Sequence, residues 1–276
     1  MVKIQRSKEE INSIGGISLI GGLYNSLKSV KKADSMQTSK IKTGKIKHSG
    51  IIKTVAGLFA LGKNDYADVT QFHEDSFFRA CLKLNAVPSE VTLRQRLDEL
   101  ALLQEMFDLV RSGNVELVKK SPEFGFEKTS HGKYITPDID VSPFDNSGSN
   151  KEGVSWTYKN HDGYAPIFAY LGTHGYMINC ELRPGSQHSN KGALEFIRQC
   201  LDMAFNALRL LGQSALKMKE ALPRKFKVQR RRLRSVLQDL IYIACKRTRH
   251  SNSIFLKFGR HCPWFDIFRQ LHIKFA

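Results

Sequence analysis

An α+β fold is the class this sequence predicts, on three observations. Apolar residues recur at helical spacing towards both ends, the middle switches to short β-rich runs, and net charge changes sign between them. The 276 residues are enough to bury a sizeable core in one or two domains. The formal charge of +17 divides unevenly: residues 1–63 carry 12 Lys/Arg against 3 acids, residues 64–216 carry 15 against 20, and residues 217–276 carry 16 against 3. An acidic centre between basic ends suits a protein whose ends hold a polyanion and whose middle holds divalent cations. A basic face solvated for other reasons fits the same numbers.

No apolar run approaches the roughly 18 to 20 residues of a membrane span, so no membrane partner is expected. Met1–Glu10 lacks the apolar stretch and small-residue cleavage site of a secretory signal, which leads to an expected cytoplasmic location. The cysteines Cys81, Cys180, Cys200, Cys245 and Cys262 form no C-x-x-C pair and read as free thiols, and the nine histidines show no metal-ligand spacing.

Residues 1–63 mix the glycine pairs Gly15-Gly16 and Gly21-Gly22 with lysine-rich stretches, so only Ile51–Leu61 reads as a buried helix and the rest as loosely ordered. Phe72, Phe77, Phe78, Cys81 and Leu82 then mark a helix that ends before Pro88. A second helix starts near Ser89, with Thr92 and Gln95 as a candidate capping box and Leu93, Leu97, Leu100 and Leu103 on one face. Helix, short turn and helix with Arg94 and Arg96 fits either a DNA-reading helix-turn-helix or an ordinary αα-hairpin.

The middle reads as three strands. Tyr134–Val141 ends in acids, and Gly163–Leu171 and Tyr176–Leu182 form an antiparallel hairpin across Gly172-Thr-His-Gly175. A polar loop, Arg183–Lys191, leads into a helix over Ala193–Leu211. In the tail, Arg224, Lys225, Lys227, Arg230, Arg231, Arg232 and Arg234 place seven cations in eleven positions, and Val236, Leu237, Leu240, Ile241 and Ala244 form the apolar face of a helix. The aromatics that follow, Phe255, Phe258, Trp264, Phe265 and Phe268, either pack that region or stack on bases.

Asp138, Asp140 and Asp145 gather at the end of the first strand. Residues two apart share a strand face, so Asp138 and Asp140 point together. Such oxygen ligands suit Mg²⁺ or Mn²⁺ in phosphoryl transfer. An acid-rich turn at Asp145-Asn-Ser-Gly148 accounts for the same residues.

From Asp138 to about Leu201 the chain resembles the DDE transposases of bacterial insertion sequences. The runs that carry this are Asp-Ile-Asp-Val-Ser-Pro-Phe-Asp-Asn-Ser from Asp138, Lys151-Glu-Gly-Val-Ser, Thr157-Tyr-Lys, Asp162-Gly-Tyr-Ala-Pro-Ile and Glu181-Leu-Arg-Pro-Gly-Ser-Gln-His188. Stretches of the tail, among them Arg230-Arg-Arg-Leu-Arg-Ser, Asp239-Leu-Ile-Tyr-Ile-Ala-Cys245 and Phe258-Gly-Arg-His-Cys-Pro-Trp-Phe265, are similar to the end of the same family. The resemblance implies an RNase H-like core whose first strand gives one catalytic Asp, a later strand a second and a helix beyond it a Glu, all serving Mg²⁺ or Mn²⁺. The first Asp maps to Asp140, with Asp138 and Asp145 as the other choices for the same ligand position. The second Asp and the Glu have no counterpart here, which implies an internal deletion with its joint near Leu201–Met203.

The expected organisation is therefore an N-terminal helical region that is a candidate DNA-binding element (1–130), a partial RNase H-like core of three strands and a helix (131–201) and a basic helical C-terminus (202–276). The expected partner is double-stranded DNA at insertion-sequence ends, bound by the seven tail cations in a nucleoid-associated protein, with a full-length transposase as a second partner. Three readings of activity compete: a cutting enzyme using Glu195 or Asp202 as replacement ligands, a non-catalytic DNA-binding product that interferes with a full-length transposase, and a remnant without a role. A nuclease of another RNase H-like family is the outside alternative.

Overall fold

The computed structural model describes residues 10–37, 46–120, 127–134, 137–192, 196, 233–250 and 253–275. The chain divides into two compact units, Met1–Leu102 with Ala207–Ala276, and Leu103–Asn206.

The first unit opens with a short strand β1 (Ile11–Asn12) and helices α1 (Ile17–Asn25), α2 (Lys28–Lys32), α3 (His48–Ala60), α4 (Ser76–Leu82) and α5 (Glu90–Ala101). The loosely ordered N-terminus expected from its glycines is thereby corrected. Ile17, Leu19, Ile20, Leu23 and Tyr24 of α1 are all fully buried, and the glycines are where backbones meet. A Cβ on Gly21 would lie 2.0 Å from the carbonyl oxygen of Cys81, and one on Gly16 would lie 2.0 Å from that of Leu240. They are packing residues, not loop residues.

Helix starts follow side-chain chemistry. Asp75 caps α4 by accepting from the amides of Phe77 (2.8 Å) and Phe78 (2.9 Å). Ser89, not Thr92, caps α5, its Oγ accepting from the amide of Thr92 at 3.2 Å. Arg96 is buried and points inwards, donating to His48 Nδ1 (2.9 Å) and the carbonyl of Ile46 (3.3 Å). It is thereby occupied in the unit's own packing, and α4 and α5 form an αα-hairpin in which only Arg94 of the two arginines faces solvent.

The second unit holds α6 (Gln104–Lys119), the hairpin β2 (Glu127–Thr129) and β3 (Gly132–Tyr134), then β4 (Pro137–Val141), β5 (Phe144–Asp145), β6 (Ser155–Trp156), β7 (Asp162–Tyr164), β8 (Ile167–Leu171) and β9 (Tyr176–Glu181). An antiparallel sheet runs β4-β8-β9 and a smaller one β5-β7-β6. The expected hairpin is present, with Gly172 and Gly175 at φ 64° and 63°, where glycine avoids the left-handed penalty. Two strands read as continuous are broken. Tyr134 belongs to β3, which pairs with β2. The run Gly163–Leu171 splits at Ala165-Pro166 into β7 and β8, which serve different sheets; Pro166 has no N–H for a ladder, and its carbonyl accepts from Ser142 (3.0 Å). Ile167, Ala169 and Phe196 form a buried cluster against which Val141 packs.

The tail returns to the first unit with α7 (Leu233–Val236) running into a π-turn over Leu237–Ile241, the hairpin β10 (Cys245–His250) and β11 (Ser253–Phe258), and α8 (Phe265–Phe275). A wholly helical tail is therefore corrected: the helix stops at Ile241, and β10 pairs with both β11 and β1. The amides of Gly15 and Gly16 donate to the carbonyls of Ile243 (2.7 Å) and Ile241 (2.9 Å), so these glycines draw the chain out of the helix. In α8, Ile267, Phe268, Leu271 and Phe275 are buried at helical spacing.

Candidate active site

In β4, Asp138 lies opposite Tyr170 and Asp140 opposite Phe168 of β8, which puts both exposed carboxylates on one face of the sheet. Ile139 and Val141 turn to the other face, towards Ile167 and Ala169. Asp140 Oδ1 accepts the amide of Val141 at 2.9 Å. Asp145 behaves differently. It sits on β5 and accepts the amide of Ser147 at 2.8 Å; hydrogen bonding from Ser147 side chain and backbone holds its carboxyl below the usual carboxylate range. That is turn chemistry.

A cavity of about 920 Å³ lies where β4 ends, bordered by Asp140, by Thr157 and Tyr158, and by the loop Gly185–Asn190. The loop is held from several sides. A Cβ on Gly185 would lie 2.0 Å from the carbonyl oxygen of Ser155 and 2.5 Å from that of Gly163, so only glycine fits there. The amide of Ser186 donates to Ser155 Oγ at 2.9 Å, and the amide of Asn190 to His188 Nδ1 at 3.3 Å. On the opposite wall Tyr158 donates its hydroxyl to the carbonyl of Val141 at 2.9 Å.

Behind the loop is Arg183, 1% exposed. Its Nε and one terminal nitrogen donate to Glu181 Oε1 (3.0 Å) and Oε2 (3.2 Å), and the other terminal nitrogen donates to the carbonyl of Ser189 (3.1 Å). The guanidinium also lies over the ring of Phe196, 5.4 Å from its centroid. One side chain thus ties β9, the loop and the cluster behind the sheet together.

Of the sequence-predicted residues, Asp140 lines the cavity, while Asp138 shares its strand face without lining it. Among the described residues no group of three or more His, Cys, Asp or Glu side chains is placed to hold a metal ion. Arg234 is exposed on α7; Arg224, Lys225, Lys227, Arg230, Arg231 and Arg232 lie outside the described residues, as do Glu195 and Asp202. The sequence by itself does not mark Arg183, Ser155 or Ser186 as site residues. Their signal was membership of the runs Lys151-Glu-Gly-Val-Ser155 and Glu181-Leu-Arg-Pro-Gly-Ser186, since nothing in spacing alone marks a buried arginine.

Residues 1–210 match the family model described as transposase DDE domain, group 1. The chain belongs to the DDE transposases. No curated protein and no solved structure matches it. The family makes DNA the substrate and generally uses divalent metal ions. Among the described residues no helix is long and apolar enough to cross a membrane. Hydroxyl, amide and imidazole groups of Ser186, Gln187, His188 and Asn190 around the cavity suit phosphate oxygens of a DNA strand. A two-ion centre needs carboxylates from separate elements to hold both ions about 4 Å apart. Among the described residues of this transposase the cavity has one carboxylate, Asp140, so they do not fit such a centre.

Proposed function

We propose that this chain is a DDE transposase shortened by an internal deletion, retaining Asp140 as the family's first catalytic carboxylate and binding DNA without cutting it. The observation that carries this reading is the cavity itself: four of the runs that resemble the family meet there, and Asp140 is the one carboxylate among its described lining residues. An antiparallel sheet in the order β4-β8-β9, with the acid on its first strand, supports an RNase H-like core. The seven cations from Arg224 to Arg234 support DNA binding by the tail. With a second Asp and a Glu missing, the second ion and the in-line alignment it enforces are lost, and misplacement of about 1 Å already costs about a hundredfold.

The test incubates purified protein with Mg²⁺ or Mn²⁺ and DNA bearing the element's ends, beside a variant at Asp140. No cleavage or strand transfer is expected. Cleavage abolished by the Asp140 variant would overturn the inactive reading and turn attention to Glu195 and Asp202 as ligands. Duplex binding is expected to fall about a thousandfold between 50 and 200 mM salt if about six phosphates are contacted, and to weaken when Arg230, Arg231 and Arg232 are replaced by alanine. Co-expression with a full-length transposase separates an interfering product, which lowers transposition, from a remnant without a role, which leaves it unchanged.

A further inference from the structure

We infer that the β10–β11 hairpin is a ribbon that enters the major groove of duplex DNA. This rests on the reading that the chain binds DNA, and it assigns a contact separate from the tail cations of residues 224–234. β1 pairs with β10 only at Cys245 and Lys246, and no strand among the described residues pairs with the outer side of β11. Residues 247–250 and 253–256 therefore continue as a two-stranded ribbon, paired Arg247 with Leu256, Thr248 with Phe255, Arg249 with Ile254 and His250 with Ser253. At about 3.4 Å per residue these pairs extend roughly 13 Å past β1. The major groove is about 8.5 Å deep and about 12 Å wide, and it admits a two-stranded antiparallel ribbon.

The charge of the ribbon is of one sign. From Cys245 to Phe265 the sequence holds Lys246, Arg247, Arg249, Lys257 and Arg260 and no Asp or Glu. Arg247 anchors the base, with a terminal nitrogen 3.3 Å from Ser76 Oγ and 4.0 Å from Glu10. Arg249 and Lys257 are exposed, and neither makes an ion pair among the described residues. Strand alternation sets Arg247 and Arg249 on one face of the ribbon and Lys246 and Lys257 on the other. Lys246 and Lys257 stand directly opposite each other, an arrangement that destabilises a bare hairpin and that an anion relieves. Cations on both faces fit a groove, because phosphates line both of its walls. A flat anionic surface would meet one face only. Ile254 is 55% exposed opposite Arg249, and an apolar side chain there suits the methyl group of thymine, which only the major groove presents. An unpaired strand has no second wall for the other face to meet, so the complementary form of DNA is the duplex. The ribbon lies in a different unit from Asp140, so its contact is expected to survive replacement of that residue.

The experiment uses the full chain and follows fluorescence anisotropy of a labelled short duplex. Arg249→Gln with Lys257→Gln is expected to weaken duplex binding about tenfold and to flatten its salt dependence by roughly two phosphate contacts. The loss should add to that caused by replacing Arg230, Arg231 and Arg232, since the two contacts are separate. On the unaltered chain, photocrosslinking of a duplex carrying 5-bromouracil, whose bromine takes the place of the thymine methyl, is expected to label residues 247–257, and this arm decides the matter if a variant fails to fold. A duplex whose major groove is filled by glucosylated 5-hydroxymethylcytosine should bind more weakly than the unmodified one. Crosslinks confined to other peptides, equal affinity for the filled and open grooves, or displacement by a single strand or polyglutamate as effective as by duplex would each overturn the inference. Duplex binding that depends on residues 230–232 alone would overturn it and leave the proposed function standing, whereas a chain that binds no duplex at all would overturn both.

Discussion

Replacing Arg183 by alanine is expected to destabilise the second unit by about 3 kcal/mol, a value assembled from contacts of unequal worth. Removing one partner of a fully buried ion pair costs about 3–5 kcal/mol, but the side chain of Glu181 is 36% exposed and recovers water once the arginine is gone. Its two hydrogen bonds therefore contribute nearer about 1 kcal/mol. The carbonyl of Ser189 loses a donor at 3.1 Å from a charged group, worth about 1.5 kcal/mol. The contact with the ring of Phe196 adds about 0.5–1 kcal/mol. Arg183→Lys keeps the charge and loses the fork, so about half of the cost should remain. Urea denaturation reads the change as a midpoint shift of about 1 M or more, and a double-mutant cycle with Glu181→Gln isolates the pair at about 1 kcal/mol. Hydrogen exchange at the amides of Ser186 and Asn190 should quicken in Arg183→Ala, because the loop bordering the cavity loses its tie to β9. A cost below about 1 kcal/mol, with unchanged exchange at both amides, would refute the reasoning.

His48 is buried against Arg96, and burial first, then that guanidinium, lower its pKa below the usual 6.5; Asp34 and Glu99 act in the opposite sense. The unfolded chain thus binds the proton more readily, so stability is complete above pH 6.5 and falls as the pH drops from there through the lowered value, by at most about 1.4 kcal/mol per pH unit. Thermal melting of the wild type and His48→Asn, which keeps an acceptor for Arg96, checks this: equal slopes below pH 6.5 would count against it. Burial pushes the thiols of Cys81 and Cys245 up to about 12 and about 11. Alkylation of both by iodoacetamide at pH 8 is expected to be about a hundredfold slower in the folded chain than in urea, measured by mass spectrometry; matching rates would show that the thiols are not shielded.

The β-rich middle was legible because its signal is local. The β-rich run Ile167–Leu171, acids two apart in Asp138 and Asp140, and a turn bounded by Gly172 and Gly175 each follow from a few neighbouring residues. The first unit was not, since its explanation lies at long range. Gly16 reads as a loop residue until Leu240 and Ile241 are seen against it, and Gly21 until the backbone at Cys81 is. The same holds for Arg96, whose sequence surroundings suit a DNA-facing arginine and whose partners are His48 and Ile46. At the candidate site Asp140 was legible as an acid at a strand end, whereas Arg183 and the pairing of Ser186 with Ser155 depend on how β6 and the loop meet. Cation density and the apolar spacing from Val236 to Ala244 draw the tail as a basic helix; neither registers that Cys245–His250 and Ser253–Phe258 pair residue by residue.

Beside the ligand role proposed for it, Asp140 serves the edge of its sheet. In the ladder between β4 and β8, Ser142 donates to the carbonyl of Pro166, so the alternate residue Val141 turns its N–H and C=O away from β8. The sheet order leaves that side of β4 without a partner strand among the described residues. Both groups of Val141 are nonetheless satisfied, the amide by Asp140 Oδ1 at 2.9 Å and the carbonyl by the hydroxyl of Tyr158 at 2.9 Å. Such caps blunt an edge that would otherwise recruit another strand. Asp140→Ala therefore removes a carboxylate and opens the edge at once, and a loss of binding or cleavage could come from association of the opened sheet. Asp140→Asn keeps an acceptor for Val141 while removing the charge a metal ion needs. The pair is expected to separate the two tasks: Asp140→Ala should self-associate more than the wild type in analytical ultracentrifugation, and Asp140→Asn should remain as the wild type is. If Asp140→Asn associates as strongly as Asp140→Ala, the side chain is not acting as an acceptor at the edge, and the cap would have to be assigned to Tyr158 alone.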